Sequence, residues 1–101
     1  MTHYVLSRAA LRDLSSLEEF LVAREGRPRA LSVLGRLHRA MISLASYPGI
    51  GRRRIDLIGE PMCFSVQSWL IFYRPAADRT GVEIVRIIDA RRDIATLMGK
   101  P

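Results

Sequence analysis

Among the 101 residues there is one cysteine and one lysine, prolines number 5 and glycines 7, and no apolar run approaches the roughly 20 residues that span a bilayer. The lone cysteine, Cys63, excludes an intramolecular disulfide framework, and no Cys/His cluster offers four ligands for a structural zinc. A reducing, cytoplasmic setting is the expectation. Met1 to Arg8 lacks the basic region followed by an apolar one that marks a secretory leader. With hydrophobic types at 49% and charged types at 26%, residues 1–101 are expected to form one compact soluble domain. At this length folding buries ~60–70% of the unfolded surface, enough for a modest core without disulfides or metal.

What is present in excess is arginine. Fifteen arginines against the single Lys100 dominate a net charge of +6. Guanidinium groups fork carboxylates and phosphates and shed water more readily than ammonium groups, so this balance suits interfaces with acidic partners or nucleic acid. A GC-rich genome yields the same bias without any partner.

His3-Tyr4-Val5-Leu6 is a short β-prone run ending at Ser7, a good N-cap. Ala10, Leu14, Leu17 and Leu21 then fall on one helical face, and this helix is expected to stop near Glu25-Gly26. Pro28 suits a first helical turn, and Ala30, Leu34, Leu37, Met41 and Leu44 repeat the spacing up to Tyr47-Pro48-Gly49. The short connection between the two helices predicts an antiparallel hairpin. Gly49 to Arg54 reads as an exposed basic loop. Met62–Val66 and Trp69–Arg74 are strand-like and separated by Gln67-Ser68, the spacing of a tight hairpin. Val82–Ile88 is the most β-branched run, with both faces expected to be covered. A tail of no more than two helical turns follows. The sum is an α+β fold, β-α-α-β-β-β, with a helical hairpin on a mainly antiparallel four-stranded sheet and a short C-terminal helical turn.

This order resembles the ParE-type toxins of bacterial type II toxin–antitoxin systems, within the RelE/ParE superfamily. The carriers are Tyr4-Val5-Leu6-Ser7 with Ala10 and Asp13-Leu14, then Pro48-Gly49-Ile50-Gly51-Arg52 with Arg54 and Leu57. Leu70-Ile71-Phe72-Tyr73-Arg74, Ile84-Val85-Arg86-Ile87-Ile88 and Arg91-Arg92-Asp93 complete the set, so the likeness spans nearly the whole chain. It implies a toxin that binds and blocks DNA gyrase and is neutralised by a cognate antitoxin, acidic in its toxin-binding tail. It implies no cofactor, no membrane contact and no direct sequence-specific binding of nucleic acid.

RelE-like relatives instead resemble ribosome-dependent ribonucleases of messenger RNA. RNA scission without metal needs a base, a cation and an acid arranged around one phosphate. Trp69 stands where ribonuclease members often carry arginine, and Asp89 where histidine is common. His3 and His38 are far from any matching position, and lysine is absent from the site region. A catalytic set is therefore not expected. The competing assignment is an endoribonuclease drawing on Arg52, Arg54, Tyr73, Arg86 and Arg91. A decayed member that survives as a binding partner is a third.

Partner binding is expected of Arg52, Arg53, Arg54, Arg74, Arg86, Arg91 and Arg92. The first three form the densest cationic cluster, which is otherwise a solvated loop. Arg74 and Arg86 lie within strands and either mark an exposed sheet face or pair with Glu83 or Asp89. For Arg91 and Arg92 the resemblance implies a tail that contributes to toxicity. Trp69 reads as core before it reads as a stacking residue, Cys63 as a small buried hydrophobe, and His38 as a surface or boundary residue. Leu11, Phe20, Leu31 and Ile42 lie off the helical stripes, and this excess apolar surface suits a partner or deep packing equally.

Overall fold

The structure, a computed structural model, describes residues 3–101. Strand β1 (His3–Leu6) leads into α1 (Arg8–Glu25), and α2 (Arg27–Ser46) returns against it. A single 3-10 turn, Pro48–Ile50, then precedes β2 (Arg52–Arg53), β3 (Met62–Val66), β4 (Trp69–Pro75), β5 (Gly81–Asp89) and α3 (Ile94–Met98).

Ser7 shows why the first strand turns into a helix where it does. Its Oγ accepts from the Ala10 N–H at 3.0 Å, capping α1, and donates to the Val85 carbonyl at 2.7 Å. Its own N–H donates to the Ile84 carbonyl. One hydroxyl thus caps a helix and ties it to β5. Gly26 alone joins the helices, and its φ of 88° is a conformation glycine reaches without steric cost.

The sheet has five strands in the order β1-β5-β4-β3-β2. Among the described residues only the β1–β5 pairing is parallel, with His3 opposite Gly81, so the mainly antiparallel expectation holds. The fifth strand corrects the reading of Gly49 to Arg54 as a loop. Arg52 pairs with Cys63 and Arg53 with Met62, extending the sheet by one short edge strand. Neither arginine carries a β signature, and the pairing comes from the tertiary neighbourhood. The two-residue β3–β4 turn is as expected, with Gln67 taking the positive φ, 54°, that such turns require.

Two cores sandwich the sheet. On one face Ala10 and Leu21 of α1 and Ala30, Val33, Leu37, Met41 and Leu44 of α2 close over Ile71, Tyr73, Val82, Ile84 and Ile87. On the other, Leu57 with Ile94, Leu97 and Met98 covers Phe72, Ile88, Val85 and Leu70. Both faces of β5 are covered because its run serves the two cores in turn. Trp69 is half-buried at the margin of the first core, so it is core only in part.

Candidate partner-binding surfaces

Arg86 occupies an irregularity in the sheet. Along β4 and β5 the register steps between Phe72 and Tyr73, so that Phe72 faces Arg86 while Tyr73 faces Ile84. Bulges of this kind re-aim side chains. The guanidinium reaches α1 and forks the Asp13 carboxylate, Nε to Oδ2 at 2.8 Å and Nη2 to Oδ1 at 3.0 Å. Asp13 Oδ2 also accepts the Ile87 N–H at 2.9 Å. The pair lifts the Arg86 pKa above its ordinary value. The expected partners, Glu83 or Asp89, are not the ones it uses. Asp13 lies three residues after Ala10 and four before Leu17, inside the apolar stripe, and a carboxylate there needs a counter-charge. That spacing was the available signal.

The other arginines divide by what engages them. Arg74 meets Glu83 at 2.8 Å, the pairing expected of it. Arg91 forks Asp89, with contacts of 3.1 and 2.7 Å, and holds that carboxyl below the usual range. Arg54 forks Asp56, both contacts 2.9 Å, and its guanidinium carbon lies 5.9 Å from the Phe72 ring centroid. It is a half-buried cover for the second core and no part of a uniformly solvated cluster. Arg53 is exposed and reaches Glu60 only at 3.8 Å. Among the described residues, Arg52 and Arg92 are exposed and have no carboxylate within ion-pair distance.

Tyr73 is 1% exposed and directed into the helix-side core. Its hydroxyl donates to the Pro48 carbonyl at 2.7 Å and accepts the Gly51 N–H at 2.9 Å, clamping the 3-10 turn onto the sheet. A Cβ on Gly51 would fall 2.3 Å from that oxygen, so the clamp demands glycine. Burial pushes the phenol pKa up, and the Gly51 N–H pulls it partly back. Burial likewise raises the Cys63 thiol against the opposing pull of Arg54 and Arg52. Cys63 is a half-buried member of the second core's margin, somewhat less enclosed than expected. His38 lies at the surface, its Nδ1 2.7 Å from the Tyr4 hydroxyl.

Between α1 and the sheet runs a cleft lined by Phe20, Leu17, Trp69, Ile87, Ile88 and Arg92. Phe20 is 50% exposed on its rim, and Leu11, Val22, Leu31 and Ile42 are also exposed on the helical hairpin. Among the described residues no group of three or more His, Cys, Asp or Glu side chains is placed to hold a metal ion, and no helix is long and apolar enough to cross a membrane. Sequence reasoning gave Asp13 and Ile50 no role beyond the family resemblance, and did not single out Asp56 or the exposed Ile55 and Ile58 beside the basic strand.

A structure from the chromosomal ParDE TA system of P. aeruginosa superposes with a TM-score of 0.74 at 17% identity, covering 90% of this chain and 98% of that one. The two share a fold. Toxin ParE3 of Caulobacter vibrioides is 30% identical over 100 residues, which are 99% of this chain and 98% of the relative. Residues 4–94 match the family described as the ParE toxin of the type II toxin–antitoxin system parDE. With the family match running from β1 to the start of α3, the chain belongs to the ParE toxins of type II toxin–antitoxin systems.

Proposed function

We propose that this toxin acts in the cytoplasm by binding, as one domain over residues 1–101, inhibiting DNA gyrase until a cognate antitoxin silences it. The observation that carries the non-enzymatic reading is the engagement of Tyr73. A ribonuclease built from Arg52, Arg54, Tyr73, Arg86 and Arg91 would need these groups to converge on one phosphate. Instead the Tyr73 hydroxyl is held between Pro48 and Gly51, and Arg86, Arg54 and Arg91 each fork their own aspartate. Arg86 reaches the α1 side of the sheet, whereas Arg54 lies over Phe72 in the core on the other side. This dispersal supports binding over proton transfer as the mode of action.

The antitoxin reading draws on the hairpin. Helix α2 holds Arg27, Arg29, Arg36 and Arg39 and no acidic residue, next to the exposed Leu31 and Ile42. An acidic, apolar-dotted segment complements that surface. Recognition is of protein surfaces, without sequence-specific reading of nucleic acid.

Purified toxin added to a gyrase supercoiling reaction should inhibit it, and the cognate antitoxin should restore it. Unimpaired supercoiling, together with clustered cuts in messenger RNA after induction, would reverse the reading in favour of the endoribonuclease.

A further inference from the structure

The segment from Ile50 to Ile58 sets two exposed features that the toxin's own core does not use on a backbone that the fold holds in place. Ile50, Ile55 and Ile58 are 50%, 71% and 59% exposed, an unusual concentration of branched aliphatic surface in nine residues. Arg52 and Arg53 are exposed between them, the first free of any carboxylate at ion-pair distance and the second facing one only at 3.8 Å. The backbone beneath is held firmly. Gly51 is clamped by Tyr73, β2 pairs with β3, Arg54 N–H donates to the Pro61 carbonyl at 2.8 Å, and Ile58 N–H donates to the Gly99 carbonyl at 3.0 Å. Leu57, fully buried, anchors the segment in the second core. A solvated loop needs neither the isoleucines nor this scaffolding, whereas a pre-ordered contact surface uses both.

We propose that Ile50–Ile58 is the surface with which the toxin grips its target, an acidic protein face with apolar pockets, and that the antitoxin is seated elsewhere, on the helical hairpin. This rests on the reading of the chain as a binding-type toxin. Protein is favoured over nucleic acid because single-stranded bases are held by aromatic stacking, and the segment has no aromatic residue. Branched aliphatic side chains gain by entering apolar pockets, and guanidinium groups steer them to an acidic surface. The division between partners follows from the two surfaces. Permanent complexes use the more apolar interfaces, and the hairpin offers Leu11, Phe20, Val22, Leu31 and Ile42. The conditional encounter falls to the mixed arginine–isoleucine ridge, whose anchor Leu57 packs on the sheet face away from the hairpin.

The test compares two variants in the full chain, Ile55→Asp/Ile58→Asp and Arg52→Glu/Arg53→Glu, with Leu31→Asp/Ile42→Asp as the converse. Three measurements are made on each: growth arrest on induction, co-purification with the cognate antitoxin, and the melting curve. Both ridge variants should lose growth arrest and keep the antitoxin complex. The hairpin variant should lose the antitoxin and stay toxic. If the isoleucine variant fails to melt cooperatively, the arginine variant, altered only at exposed positions, decides. Ridge variants that remain toxic, or that lose the antitoxin, overturn the proposal, as does a wild-type chain that arrests nothing. Wild-type toxin that arrests growth without impairing purified gyrase refutes the gyrase assignment alone, since the growth-arrest comparison still decides on the ridge.

Discussion

Asp13 on α1 and Arg86 on β5, 73 positions apart in the chain, form a forked ion pair at 2.8 and 3.0 Å whose carboxylate also receives the Ile87 backbone N–H. Both side chains are largely shielded, at 22% and 15% exposure for Arg86 and Asp13. Removing one partner strands the other in a poorly solvated place. Asp13→Ala is expected to destabilise the fold by about 2–4 kcal/mol in urea unfolding, while Asp13→Ala/Arg86→Met should recover part of that loss. A single-variant cost under about 0.5 kcal/mol would show the pair to be ornamental to stability.

The Tyr73 clamp carries a pH signature. Its folded pKa is raised, chiefly by burial, so the folded state holds the phenolic proton more tightly than the unfolded chain does. That contribution is complete below the unfolded value near 10 and is lost as pH rises through the folded one. Stability measured from neutral pH upward should therefore fall above about pH 10, and the fall should be shallower in Tyr73→Phe. At neutral pH the same variant is expected to cost about 1–3 kcal/mol, because the Gly51 N–H and Pro48 carbonyl lose their partner.

Within the arginine triplet the consequences of substitution should diverge. Arg52→Ala/Arg53→Ala alters two exposed side chains and should leave stability within about 0.5 kcal/mol. Arg54→Ala removes the group lying over Phe72 and should cost about 1–2 kcal/mol. Equal losses in thermal or urea unfolding would contradict the distinction drawn between them.

Gly81 opens β5 with a φ of 152°, and a Cβ there would fall 1.8 Å from the His3 carbonyl oxygen. Gly81→Ala should therefore displace β1 from the sheet edge and destabilise by about 2–4 kcal/mol. Hydrogen exchange at Tyr4 to Leu6, faster in the variant than elsewhere in the sheet, is the specific readout.

The architecture was legible where local pattern and tertiary role agree. The stripe Ala30, Leu37, Met41 and Leu44 is buried as its spacing demands, though Leu34 is only partly so and Val33 and Ala45 join it. Ser7 caps α1 and Gly26 separates the helices, both from residue chemistry alone. β2 was not legible, since two arginines carry no strand pattern of their own and pair with β3 next to the turn that Tyr73 clamps. The partner of Arg86 escaped for a related reason. Strand neighbours suggested Glu83 or Asp89, but the irregular register turns the side chain to the helix layer, where Asp13 waits. Ile55 and Ile58 gave no warning because the short mixed run Arg54-Ile55-Asp56-Leu57-Ile58 has no periodicity to read.

The parallel edge strand has a temporal consequence. β1 precedes the other strands, yet among the described residues it pairs only with β5, which follows after almost the entire chain, with His3 opposite Gly81. During biosynthesis the nascent polypeptide cannot complete its sheet until the last strand emerges, and such distant pairing is slow to form. Until β5 is available, β1 has no strand to pair with, so the two ends of the fold are joined in a single late step.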